Sequence, residues 1–167
     1  MSEERDTPFH YSKRECADAH LDAACKAFLS GEHPTVVVTL AGVAEEIYGA
    51  LITSKAGWTK TAHPRAIDVL VDWAIGPDGL GMDRDDAWKY LYGARNAVKH
   101  ARDPRELAVV DPAAVLYMIT TALINRLSVD RELSAPAVEV AQKLTELWQR
   151  RPDWVRVQAD NWERRGS

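Results

Sequence analysis

The sequence has little of several features that mark common protein classes. Among 167 residues there are only two cysteines, and Cys16 and Cys25 lie on opposite sides of one predicted helix. They cannot pair with each other, and no Cys-x-x-Cys spacing is present. We therefore expect buried or half-buried thiols in a reducing cytosol, and we exclude disulfide-rich secreted folds and cysteine-ligated metal sites.

An excess of basic charge is also missing. Lys and Arg number 21 against 25 Asp and Glu, so the formal net charge is -4. Nucleic-acid-binding domains usually have an excess of basic residues instead. The first six residues are acidic and precede no apolar segment of a signal peptide. The longest mainly apolar stretch, residues 35–52, is interrupted by Glu45, Glu46 and two glycines, so it makes a poor membrane span. We expect a cytoplasmic protein with no membrane partner.

The length fits one domain. We expect a loose arm over residues 1–11, a bundle domain over 12–150 and a tail over 151–167. The tail contains Trp154 and Trp162, and the sequence leaves open whether it docks through the two indoles or frays.

Capping residues and apolar periodicity predict six helices joined by short links. A Ser12–Glu15 capping box starts the first helix and Gly31 ends it, while Asp111 and Pro112 start the fifth. The second helix is apolar nearly all round, which is typical of a central, enclosed helix. The predicted helices cover residues 12–30, 35–53, 65–75, 83–101, 112–127 and 134–150, with a marginal extended piece at 107–110. The fold class is an all-α bundle.

The fourth predicted helix carries a polar stripe. Tyr92, Asn96 and His100 recur at four-residue spacing, with Arg95 beside them and Lys99 nearby. Arginine is suited to bind phosphate, and histidine exchanges a proton near neutral pH. The alternative is that Arg95 pairs with a carboxylate to join helices while His100 satisfies a helix end.

The second predicted helix supplies the carboxylates. Glu45 and Glu46 are its only charged residues, and Gly42 and Gly49 lie on the same side. Small residues there indicate the close approach of a backbone or a ligand. A buried carboxylate requires a cation, and Arg95 is the first partner to expect for Glu45, whereas Glu46 is as readily exposed.

These residues carry a resemblance to a known family. Arg95-Asn96 followed by His100 resembles the Arg-polar-x3-His motif of HEPN domains, and residues 34–128 are similar to a group of uncharacterised bacterial helical proteins. The resemblance implies a helical homodimer and, in active members, a metal-independent endoribonuclease that uses the RNA 2′-hydroxyl as nucleophile. It implies His100 as general acid/base, Arg95 as the phosphate-stabilising group and Asn96 as an orienting group.

Two functions remain open at this point. Many HEPN-like domains are non-catalytic binding or dimerisation modules, in which Glu45, Glu46, Tyr92 and Lys99 would contact a ligand. The other function is the endoribonuclease. RNA binding would depend on a local basic strip, and the residues of this strip are Lys89, Arg95, Lys99, Arg102 and Arg105. We expect no metal and no cofactor, and an RNA or protein partner besides a second copy.

Overall fold

A computed structural model describes residues 10–53, 64–77, 79–99 and 110–150. These residues form six helices and no strand, which confirms the all-α bundle. The helices are α1 (Lys13–Ser30), α2 (Pro34–Thr53), α3 (Ala66–Ile75), α4 (Arg84–Lys99), α5 (Pro112–Val129) and α6 (Ala135–Arg150). The predicted tail lies outside the described residues, as do most of the arm and the extended piece at 107–110 apart from Val110.

The predicted capping residues begin and end the helices. Ser12 and Glu15 form the reciprocal capping box of α1, and Gly31 ends that helix with a left-handed φ of 71°. Asp111 accepts a hydrogen bond from the backbone N of Ala113 at 2.8 Å and so caps α5. Local sequence therefore sets these helix limits within one or two residues.

The helix α2 is the centre of the bundle. It packs most extensively against α1 and α5, with α4 on a third side, while α3 packs on α4 and α5 and α6 packs on α1. The expected central position of α2 is found, but α2 is not enclosed, because its outward side stays accessible. Val36 is 41% exposed, and Thr39, Glu46 and Ala50 are exposed as well.

The cysteines behave as predicted. Cys25 is buried and Cys16 is half-buried, and both are free thiols. Burial raises the pKa of the Cys25 thiol to about 12, so the thiol stays protonated and unreactive near neutral pH.

Two helices are apolar and long enough to cross a membrane by length and composition alone. They are α2, with a mean hydropathy of 1.6, and α5, with 1.3. Half of the α2 window and 61% of the α5 window are buried within the bundle. Core helices of soluble proteins meet the same criterion, so this finding does not distinguish a membrane helix from a core helix.

Candidate functional site

A fully buried carboxylate lies at the contact between α2, α4 and α5. Glu45 on α2 has no solvent-exposed surface. Its Oε2 accepts a hydrogen bond from the Tyr92 hydroxyl at 3.0 Å, and its Oε1 accepts one from Nδ2 of Asn125 at 3.3 Å. Nδ2 of Asn125 also lies 3.4 Å from the backbone carbonyl oxygen of Glu45. Both carboxylate oxygens are therefore hydrogen-bonded, as burial of such a group requires.

The same asparagine connects a further helix. The backbone N of Ala66, at the start of α3, donates to Oδ1 of Asn125 at 2.8 Å. Arg65 occupies the N-cap position of α3 and its side chain makes no capping hydrogen bond, so Asn125 satisfies a helix N-terminus from a distance. One buried amide thereby joins α2, α3 and α5.

Two arginines cross α2 over its two glycines. A Cβ atom built on Gly42 would lie 2.6 Å from Cδ of Arg95, and one built on Gly49 would lie 2.8 Å from Cδ of Arg65. Any residue larger than glycine would displace these side chains. The close approach predicted from the glycine spacing is therefore present, and what approaches is the stems of two arginines, one on each side of Glu45 along the helix.

Each of these arginines has a carboxylate partner. Nη2 of Arg95 pairs with Oε2 of Glu46, and Arg65 pairs with Asp68 through Nε and Nη2, both at 3.0 Å. The predicted direct pair of Arg95 with Glu45 is wrong. The reason is helical geometry, since Glu46 lies on the outer edge of α2, where the guanidinium of Arg95 reaches it after crossing Gly42.

Aromatic rings of α4 lie between the two arginines. The rings of Trp88 and Tyr92 stack with centroids 5.2 Å apart and an angle of 13°. The guanidinium carbon of Arg65 is 6.0 Å from the Trp88 ring, and that of Arg95 is 5.9 Å from the Tyr92 ring. We name the set of Glu45, Arg65, Tyr92, Arg95 and Asn125 the Glu45 cluster.

The pKa values of Glu45 and Tyr92 in the cluster are raised, and that of the adjacent Glu46 is lowered. Burial raises the pKa of Glu45, and the hydrogen bond from Tyr92 and the nearby charges of Arg65 and Arg95 offset part of that rise. The hydrogen bond from Arg95 lowers the pKa of Glu46. Burial, together with the neighbouring Glu45 carboxylate, raises the pKa of Tyr92, so its hydroxyl remains a donor.

The other predicted site residues are not in the cluster. Asn96 and Lys99 are exposed on α4, and the charge of Lys99 acts on Glu46. His100 lies outside the described residues, so its role as general acid/base stays a prediction. Arg65 and Asn125 were not predicted to take part. Asn125 does carry a signal, because it is a polar residue that directly follows the apolar run Ala122–Ile124 of α5.

The predicted basic strip is weakened at two of its members. Arg95 is buried and paired, and Lys89 is exposed but 3.2 Å from Asp86. Arg102 and Arg105 lie outside the described residues. Within the described ranges, no group of three or more His, Cys, Asp or Glu side chains is placed to hold a metal ion.

A second polar network lies where α2 faces α1 and α5. The hydroxyl of Tyr48 donates to Oδ1 of Asp18, and Nε of Arg126 lies 2.8 Å from the same oxygen. Nη1 of Arg126 donates to the carbonyl of Asp130 at 3.0 Å, and Arg14 pairs with the carboxylate of Asp130. We name these five residues the Tyr48 cluster.

A cavity of about 260 Å³ opens beside the Tyr48 cluster. Its polar lining includes Asp22 and Ser134, whose hydroxyl donates to the Asp22 carboxylate. Asp18, Tyr48 and Arg126 also line it and bond to one another. These side chains form hydrogen bonds and ion pairs with one another. Such contacts connect neighbouring helices and leave fewer polar atoms to bind a ligand.

Comparison with known proteins does not assign the chain to a family. No protein-family model, no curated protein and no solved structure matches this chain.

Proposed function

We propose that this chain is a HEPN-like helical module that functions by binding another macromolecule, and that the Glu45 cluster holds its helices together. One observation carries the proposal. The side chain of Arg95 is 10% exposed, its stem lies against Gly42, and its guanidinium is paired with Glu46. The group that a nuclease would use on a phosphate is thus already engaged within the fold.

A phosphate at Arg95 would compete with Glu46 for the guanidinium. The Glu46 side chain is 62% exposed, so it can move, but the Arg95 stem lies against Gly42 of α2 and its guanidinium carbon is 5.9 Å from the Tyr92 ring. The guanidinium would then serve a phosphate from a buried position with its neighbour Glu45 still close by. Repulsion by these two carboxylates disfavours a polyanion at this place.

The alternative is the metal-independent endoribonuclease, with Arg95 and His100 as reacting groups and Asn96 as their orienting residue. It makes a different prediction for variants of α4. A catalytic arginine can be removed with little loss of stability, whereas a structural one cannot. Asn96 provides the matched control, because it is next to Arg95 in sequence and exposed.

The test combines RNA cleavage with thermal and chemical unfolding. The full chain is incubated with a mixed pool of labelled RNAs in excess EDTA, beside the variants Arg95→Ala, Asn96→Ala and His100→Ala. We expect no cleavage by any of them. We also expect Arg95→Ala to lower the free energy of unfolding by about 1 to 3 kcal/mol, because it removes a largely buried side chain together with its packing against Gly42 and its contact with the Tyr92 ring.

Asn96→Ala is expected to change stability by less than about 0.5 kcal/mol. Cleavage by the natural sequence that is lost in His100→Ala and Arg95→Ala, with unchanged unfolding curves, would establish the endoribonuclease and refute the proposal. Equal stability of Arg95→Ala and Asn96→Ala would refute the structural role of the cluster.

A further inference from the structure

A groove of about 380 Å³ opens along one side of α6. Its lining residues are Leu133, Val138, Ala141, Gln142, Thr145 and Glu146. Leu133 and Ala141 are half-buried and pack against the core, whereas Val138 is 40% exposed. The lining is mainly apolar, so the groove is suited to hold one large aromatic side chain. We name these six residues the α6 groove.

The segment that follows α6 in the sequence supplies such a side chain. Residues 151–167 lie outside the described ranges and contain Trp154 and Trp162. They also contain four arginines against three acidic residues. Pro152 disfavours helix in the residue before it, and α6 accordingly ends at Arg150. The helical path therefore stops just before the first tryptophan of the segment.

We propose that the chain turns back along α6 after Arg150 and that the indole of Trp154 occupies the α6 groove. The inference goes beyond the proposed function, because it assigns a surface that neither candidate function uses.

The length of chain between α6 and Trp154 matches this position. At about 1.5 Å per helical residue, Thr145 and Val138 lie about 8 and 18 Å along the axis from Arg150. At about 3.3 Å per extended residue, Trp154 reaches up to about 13 Å from Arg150. Trp154 therefore falls within the span of the groove, whereas Trp162 lies past it in an extended return.

The tether and the charges favour this segment as the occupant. A segment joined by a short linker has an effective concentration in the millimolar range, so even a weak contact is populated. Glu146 lines the groove, and Glu132 is exposed beside Leu133. Arg151 and Arg156 flank Trp154 in the sequence, so the return brings opposite charges together.

The experiment is ¹⁹F NMR on the full chain with 5-fluorotryptophan at all six tryptophan positions. Trp154→Phe and Trp162→Phe assign the two signals of the segment. In the natural sequence we expect the Trp154 signal away from the position of free 5-fluorotryptophan, with a reduced shift between H₂O and D₂O, because a docked indole has little contact with solvent. Val138→Glu places a charge in the groove and should return this signal to the free position with the full solvent shift.

The matched control is Ile124→Glu, which places the same charge on a 46% exposed position of α5 that does not line the groove. It is expected to leave the Trp154 signal unchanged. The signals of Trp73 and Trp88, in α3 and α4, should be the same in both glutamate variants and so show that both are folded.

Four results would overturn the inference. They are a Trp154 signal at the free position in the natural sequence, a docked signal that persists in Val138→Glu, an equal response to Ile124→Glu, and a docked Trp162 beside a free Trp154. A docked Trp154 signal that is lost on about tenfold dilution would place the indole on a second copy and overturn the intramolecular contact, which does not depend on concentration.

Discussion

Two networks on neighbouring flanks of α2 each combine a tyrosine, a carboxylate and an arginine, and they differ in which group is buried. In the Glu45 cluster the carboxylate belongs to α2 and is fully buried, while Tyr92 reaches it from α4. In the Tyr48 cluster α2 supplies the buried tyrosine, and the side chain of Asp18 on α1 is 37% exposed. The same three chemical groups are therefore found in two environments, one in which the carboxylate is buried away from water and one in which it is partly exposed to water.

This difference decides how much each hydrogen bond contributes. A carboxylate without water depends on protein donors, and the loss of one leaves a desolvated acceptor unpaired. A carboxylate at the surface can replace a lost donor by water. The two clusters also differ in how tightly they are packed. At the Glu45 cluster the glycines of α2 contact arginine stems, whereas a cavity of about 260 Å³ lies beside the Tyr48 cluster.

The largest expected effect tests the tight packing of the Glu45 cluster. Gly42→Ala would place a Cβ atom 2.6 Å from Cδ of Arg95, so the arginine must move and lose its present position beside Glu46. We expect the free energy of unfolding to fall by about 2 kcal/mol, despite the better helix propensity of alanine. Denaturant unfolding followed by tryptophan fluorescence measures this change.

The control for that change is Gly93→Ala on α4. A Cβ atom at this position meets no other atom within 4 Å, so only the gain in helix propensity remains. We expect a stabilisation of up to about 1 kcal/mol. A Gly42→Ala protein as stable as Gly93→Ala would show that the Arg95 stem is not held against α2.

The second prediction compares the two tyrosines directly. Tyr92→Phe removes a donor from the buried Glu45 and should lower the free energy of unfolding by about 1.5 kcal/mol. Tyr48→Phe removes a donor from Asp18, which keeps Arg126 and contact with water, and should cost about 0.5 kcal/mol. Chemical unfolding of both variants gives the two values, and equal costs would contradict the difference in burial.

The sequence predicts the helices well because their limits depend on local chemistry. Ser12, Gly31 and Asp111 act through the backbone of their own helix, so no knowledge of the fold is needed to place them. The glycines beside Glu45 likewise indicate a close approach. The identity of the approaching group depends on the positions of α3 and α4, which periodicity does not give.

The cluster itself shows where sequence reasoning ends. Arg95 was expected to pair with Glu45, but one residue along α2 changes the direction of the side chain by about 100°, and Glu46 is the partner. Asn125 lies eighty positions from Glu45, so no local pattern connects them. Such contacts are set by the packing of α5 under α2, and only the structure reveals them.

The smallest expected effect is a pH dependence of opposite sign at two adjacent residues. Burial raises the pKa of Glu45, so the folded protein holds this proton at pH values where the unfolded chain releases it. Its contribution to stability is therefore complete below the ordinary carboxyl pKa, about 4.3, and falls as pH rises toward the folded pKa. Relative to Glu45→Gln, the natural sequence should lose stability as the pH is raised above the ordinary carboxyl pKa.

Glu46 is the control on the same helix. Arg95 lowers its pKa, so its contribution is present above the ordinary carboxyl pKa and is lost as pH falls through the folded value. The stability of the natural sequence relative to Glu46→Gln should therefore rise with pH, and should do so at lower pH than the change for Glu45. Denaturant unfolding of the three proteins between about pH 3 and 8 gives both differences. Slopes of the same sign would mean that Glu45 and Glu46 share one environment, whereas opposite slopes require that α2 holds one carboxylate inside the bundle and the other at its edge.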